Sequence, residues 1–305
     1  MLRASFVPPK PIRELRDVTR YRRSLIAERQ REANRLHKVL EDAGIKLSCV
    51  ATDILGVSGR AMLAALIEGT NDAATLAELA KGRMRSKRGQ LRQALEGRFS
   101  DHHRLLVSHV LAHIDYLDQT INAITVEIEL RLAPHAEKAQ RLDTITGVGP
   151  RTAQIILAEL GPDTTRFPSS RHAGSWTAIC PGNHESAGRR RSGRTRDGNP
   201  HLRAALIESA QAATRSKGTY LRAQYEQIKR RHGHNKAIGA VAHSILIAAY
   251  HVLRDDVDYH ELGGDYFQRR ADPERLTRRL VAQLERLGHT VILQEAAARD
   301  GSRAE

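Results

Sequence analysis

The sequence predicts a mainly α protein: long helices with a coiled-coil segment, followed by a compact helical domain that contains a helix-hairpin-helix. Three observations carry this reading. Apolar residues recur at helical intervals along 12–40, a strict alternating seam runs from Val107 to Ile128, and a Gly-Val-Gly-Pro turn at 147–150 separates two short apolar-periodic segments.

Pro8, Pro9 and Pro11 punctuate an extended start, after which Leu15, Val18, Leu25, Leu36 and Leu40 mark one face of a long amphipathic helix over 12–40. Its other face carries Arg16, Arg20, Arg22, Arg23, Arg29, Arg31 and Arg35, which suit either a duplex or a solvated surface. Shorter helices follow near 59–68, 73–81 and 87–96, separated by Gly and Asn-Asp breaks, so residues 1–100 read as a helical linker region. Within 101–134, Val107, Val110, Ile114, Leu117, Ile121, Ile124 and Ile128 alternate in steps of three and four. Packing against the 12–40 helix and a homo-oligomer through Val107–Ile128 both account for that seam.

Residues 138–267 read as the compact domain. Ile145, Val148, Ala153, Ile156, Leu157 and Leu160 flank a turn in which Gly147 and Gly149 permit a tight bend and Pro150 opens a helix. Backbone amides at such a helix start, with Arg151 beside them, suit a DNA phosphate; a plain helix-helix turn is the alternative. From Cys180 to Arg203 a loop sets Ser186 among Arg189, Arg190, Arg191, Arg194, Arg196 and Arg203. A hydroxyl can attack phosphorus while guanidinium groups hold the non-bridging oxygens, whereas a basic loop that only binds phosphate is the simpler alternative. Ser192, also followed by glycine, is a second choice of nucleophile.

Asn199 and Pro200 start a helix running to about Thr214, whose dipole would favour a phosphate held by Arg194, Arg196 and Arg203. After a basic stretch at 229–236, the apolar segment 237–253 is broken by His243, Ser244 and His251 and reads as a buried helix. The tail, 268–305, carries one more amphipathic helix over 273–287.

A formal net charge of +14 points to a polyanionic partner, and nucleic acid is the default. The basic residues are interleaved with acids along helices and not gathered on an apolar face, which points away from membrane. Aromatic residues are only 4% of the chain, so backbone and shape contacts should dominate over base stacking. Cys49 and Cys180 lie far apart without Cys-x-x-Cys spacing, and His232 and His234 lack a carboxylate or cysteine at matching spacing. Neither a disulfide framework nor a metal site is indicated, and the chain reads as cytoplasmic.

Several segments, in order, resemble the C-terminal part of the Piv/MooV-type DEDD transposases, the insertion sequence one-ten family. They are Thr146-Gly147-Val148-Gly149-Pro150-Arg151-Thr152-Ala153, Leu157-Ala158-Glu159-Leu160-Gly161, Arg166-Phe167, Cys180-Pro181-Gly182, Glu185-Ser186-Ala187-Gly188, Gly198-Asn199 with Leu202-Arg203, and Leu262-Gly263-Gly264-Asp265-Tyr266-Phe267. The resemblance implies a DNA recombinase that moves its own element, directed by a bridge RNA that pairs with donor and target. It implies two catalytic domains: a RuvC-like one whose acidic set binds magnesium, and a C-terminal one whose serine links covalently to DNA. By alignment that serine is Ser186.

The sequence departs from the family before Pro8, where nothing supplies an RNase H-like sheet; a truncated frame or a late start would account for this. Glu14, Asp17, Glu28, Glu32, Glu41 and Asp42 lie on helical patterns among basic residues and read as ion pairs. No cofactor is therefore expected on this chain, magnesium belonging with the RuvC-like domain. Two functions stay open: a transposase using Ser186, and an inactive nucleic-acid-binding remnant that assembles with full-length transposase.

Overall fold

The computed structural model describes residues 8–180, 184–192, 197–270 and 273–294. By contact, the chain divides into two units, Met1–Gln140 with Pro150–Thr164 and Arg141–Gly149 with Thr165–Glu305. The described residues are helical apart from turns, connecting segments and one two-stranded hairpin.

In the first unit, α1 (Lys10–Asp42) begins at Pro9 and Pro11, whose fixed φ suits a helix start. It packs along α6 (Asp101–Leu132). Ion pairs join Glu14 to Arg131 and Arg29 to Asp118, and a 3.0 Å hydrogen bond joins Asp42 to His103, so the partner's number falls as the α1 number rises and the helices run antiparallel. Between the C-terminus of α1 and the N-terminus of α6, at one end of this pair, come α2 (Leu47–Val50), α3 (Val57–Ile67), α4 (Ala73–Glu78) and α5 (Arg88–Leu95). Their apolar faces join Leu36, Leu40, Val107 and Ile114 in one core that includes Met62, Leu63, Leu76 and Leu91.

Six of the seven seam residues, Val107, Val110, Ile114, Leu117, Ile121 and Ile128, are buried. Leu117 and Ile121 pack with Leu25 of α1. The seam is thus occupied within one chain. An oligomer through it would first have to displace α1, because one apolar stripe cannot cover two partners at once.

After α7 (Ala136–Asp143) comes α8 (Pro150–Leu160), which lies against α1. Arg16 donates from Nε to the Ala158 carbonyl at 2.7 Å and from Nη2 to the Glu159 carbonyl at 2.6 Å, satisfying acceptors that a helix C-terminus leaves open. Arg20 grips the Glu159 carboxylate with two bonds of 2.7 and 2.8 Å.

The second unit is organised on α12 (His234–Asp255). It is flanked by α9 (Ser170–Thr177), α10 (Pro200–Ala213) and α11 (Tyr220–His232). By length and composition α12 could cross a membrane, but Ala237, Val241, Ile245, Leu246 and Ala249 are fully buried, as for a core helix. On α10, Ala205, Ala210 and Ala213 are likewise fully buried. Two further helices follow, α13 (Tyr266–Arg269) and α14 (Pro273–Arg286), the latter with Leu280 and Leu284 exposed.

Residues 184–192 of the expected basic loop form a hairpin of β1 (His184–Ser186) and β2 (Arg189–Ser192). Its turn residues, Ala187 at φ 51° and Gly188 at φ 71°, are both left-handed, the combination that joins antiparallel strands through two residues without splaying them. A run this short carries no readable alternation, which is why the sequence suggests only a loop.

Candidate nucleic-acid interface

Two features of the second unit carry the residues singled out in the sequence: the Thr144–Gly149 turn and the β1–β2 hairpin. The turn leaves α7 with Ile145 and Val148 buried, and the Val148 amide donates to the Ile145 carbonyl at 2.8 Å. Gly147 adopts φ +86°, and a Cβ there would stand 2.4 Å from the Ser209 carbonyl oxygen and 2.7 Å from the Ala213 nitrogen. Only glycine permits that left-handed turn and that approach to α10. Gly147 therefore packs inward. Gly149 has open space where its Cβ would be, so it is the turn glycine that another molecule can approach. Arg151, in the first turn of α8, is exposed.

In the hairpin, the register opposes Ser186 to Arg189 directly across the turn, and Glu185 to Arg190. A register shift between His184 and Glu185 then pairs His184 with Ser192 and leaves Arg191 as the extra residue. Arg189 is exposed. Arg190 and Arg191 are placed by their backbone on β2, while Arg194 and Arg196 lie outside the described residues.

The α10 start differs from the phosphate seat the sequence suggests. Asn199 Oδ1 accepts from the amides of His201 at 3.1 Å and Leu202 at 3.0 Å, so the cap residue itself occupies two donors that an anion would use. Arg203 is half-buried on the first turn, beside the positive end of the helix dipole.

Lys229, Arg230 and Arg231 are exposed at the C-terminal turn of α11, where cations are favoured by the dipole. His234 is tied to the Tyr225 hydroxyl at 2.8 Å. Among the described residues no group of three or more His, Cys, Asp or Glu is placed to hold a metal.

Sequence reasoning missed two clusters. The first is Cys180 with His243, whose Sγ and Nδ1 lie 3.7 Å apart; burial lowers the His243 pKa below its ordinary value. The second is Glu261. Its carboxylate accepts from Thr146 Oγ1 at 2.8 Å, the Tyr220 amide at 2.7 Å and the Gly263 amide at 3.1 Å. Glu261 directly precedes the Leu-Gly-Gly-Asp-Tyr-Phe run, so its neighbours could have drawn attention to it. The run itself packs on α11: Tyr266 and Phe267 lie against Tyr220, with ring centroids 4.9 and 5.4 Å away.

Residues 139–226 match the family described as Transposase IS116/IS110/IS902. The chain is 34% identical over 106 residues to the transposase for insertion sequence element IS1328 of Yersinia enterocolitica, covering 34% of this chain and 31% of that protein. It is 39% identical over 75 residues to the putative transposase y4pF/y4sB of Sinorhizobium fredii (strain NBRC 101917 / NGR234), covering 24% of this chain and 19% of that protein. The match thus spans less than a third of either relative's length. The matched stretch includes the glycine turn, the hairpin and α10, and residues 139–226 are a transposase domain of the IS116/IS110/IS902 family.

Proposed function

We propose that this chain acts in insertion-sequence transposition as a DNA transposase, with Ser186 as the nucleophile on a DNA phosphodiester. The observation that carries the proposal is the hairpin register, which opposes Ser186 to Arg189 across a two-residue turn inside the transposase domain. In the reaction, the serine oxygen forms a bond to phosphorus, its proton passes to a base, and the bond to the leaving DNA oxygen breaks with protonation of that oxygen. Arg189, Arg190, Arg191, Arg194 and Arg196 bear the phosphate charge, which peaks in the transition state.

DNA binding follows from the family and from the basic balance of the chain. In this reading Gly149, Arg151 and Arg203 contact the DNA backbone, and Gly147 holds the turn in shape from behind. A bridge RNA supplies the target sequence by base pairing, as the family resemblance suggests. On α1, Glu14 pairs with Arg131, Glu32 with Arg35 and Asp42 with His103, and among the described residues no three acidic groups are gathered as a magnesium set would need.

The test is to incubate the full chain with bridge RNA and element-end DNA and look for a denaturant-resistant protein–DNA adduct. Wild type and Ser192→Ala are expected to form it, and Ser186→Ala is not. An adduct formed equally well by Ser186→Ala overturns the assignment. DNA binding with no adduct from any form would favour the remnant.

A further inference from the structure

Three side-chain links join the segment 141–146 to the segment 256–261. Arg141 Nη1 donates to the Asp256 carbonyl at 2.5 Å, the Tyr259 amide donates to Thr144 Oγ1 at 3.0 Å, and Thr146 Oγ1 donates to Glu261 Oε2 at 2.8 Å. Each link spans the same 115 residues of sequence, so the two segments run parallel and in register. Arg141 also pairs with the Asp256 carboxylate. The segment after α12 is thus laid along the glycine turn as a strap.

Glu261 closes this strap. Its Oε1 accepts two backbone amides, Tyr220 at the start of α11 and Gly263, while Oε2 takes the Thr146 hydroxyl. One carboxylate therefore ties the turn to the start of a helix and to the Gly263–Gly264 bend. That bend is itself held close: a Cβ on Gly264 would stand 3.1 Å from the Gly218 carbonyl carbon. Residues 256–264 lie beyond the stretch that matches the family.

We infer that Glu261 is a positioning residue for DNA binding: through Thr146 it holds the Thr144–Gly149 turn in the shape that presents Gly149 to a DNA phosphate. The inference rests on the reading above that this turn contacts the DNA backbone. The role is geometric and not one of charge. A glutamine carbonyl can keep both backbone amides, and its Nε2 can donate to Thr146 Oγ1, since a hydroxyl accepts as readily as it donates. Alanine leaves two amides and a hydroxyl without this acceptor. Thr146→Val removes only the hydroxyl at nearly constant shape, and Thr146→Ser retains it.

The experiment measures the affinity of the full chain for duplex DNA across a salt series, with thermal melting as a fold control. Glu261→Ala and Thr146→Val are each expected to lose about tenfold in affinity, with the slope of log K against log salt unchanged, because a neutral backbone amide neutralises no phosphate charge. Glu261→Gln and Thr146→Ser should restore the affinity to near wild type. If Glu261→Ala alone destabilises the fold, Thr146→Val carries the test. Wild-type affinity in Thr146→Val, or equal loss in Glu261→Gln and Glu261→Ala, overturns the inference. Gly149→Asp tests the underlying reading separately: its Cβ meets open space, so it should melt like wild type yet bind DNA at least about tenfold more weakly. Wild-type binding by Gly149→Asp overturns the turn as a DNA contact. Loss there with none in Glu261→Ala or Thr146→Val overturns only the positioning role.

Discussion

Gly147 meets Ser209 so closely that a methyl group on Gly147 would stand 2.4 Å from the Ser209 carbonyl oxygen. The contact is backbone to backbone, so no side chain can rotate away to relieve it. Gly147→Ala is expected to destabilise the second unit by about 3 kcal/mol, from the left-handed φ and the overlap together. Gly149→Ala should fall within about 0.5 kcal/mol of wild type, as for an open site. Urea unfolding of the two variants checks the contrast, and equal midpoints would contradict the close approach.

The pair of Arg20 and Glu159 makes a second prediction. Glu159 is only 1% exposed and holds Arg20 through two bonds, which raise the arginine's pKa. Removing Arg20 takes both of these bonds from a buried carboxylate and leaves it the longer ion pair with Arg16, whose Nε lies 3.7 Å away, so loss of Arg20 should be felt. Arg20→Ala is expected to cost about 2 kcal/mol, less than a fully buried pair because the arginine is partly solvated. Arg20→Lys should recover only part of it, since an ammonium cannot reproduce the fork geometry. Chemical denaturation of both variants measures this.

Leu117 addresses how the seam is used. It is buried between α1 and α6 within one chain. Leu117→Ala should lower stability by about 3 kcal/mol through the cavity it opens. The melting temperature of both forms should be independent of protein concentration. A melting point that rises with concentration would instead identify the seam as an interface between copies.

His243 makes the second unit sensitive to acid. Burial lowers its folded pKa below the ordinary 6.5, so the unfolded chain binds the proton more readily. Its stabilising contribution is fully present above pH 6.5 and is lost as the pH falls through the depressed folded value. Melting temperatures from pH 7.5 down to about 5 should therefore fall more steeply for wild type than for His243→Gln. Parallel curves would remove His243 from the account.

The helices were legible because their apolar residues repeat at the helical period over many turns. The long segment read as 12–40 is the helix Lys10–Asp42, and the segment read from Asn199 is the helix Pro200–Ala213 capped by Asn199. The hairpin was not legible, because seven strand residues around Ala187 and Gly188 offer no period to read. Among the candidate residues, the glycines were found but their division of labour was not. That Gly147 faces α10 while Gly149 stays open depends on a helix more than fifty residues away.

By itself the sequence determined the helical class, the positions of most helices, the basic character and the resemblance centred on Thr146–Ala153 and Glu185–Gly188. All of these are local patterns or sums, which a linear reading can recover. Only the tertiary structure decided which stripe covers which. It filled the Val107–Ile128 seam with α1, set Glu159 under Arg20, and laid Asp256–Glu261 along Arg141–Thr146 in parallel register. Those choices depend on packing between residues far apart in the chain, where shape and the need to satisfy each buried polar group select one partner among many that composition would allow.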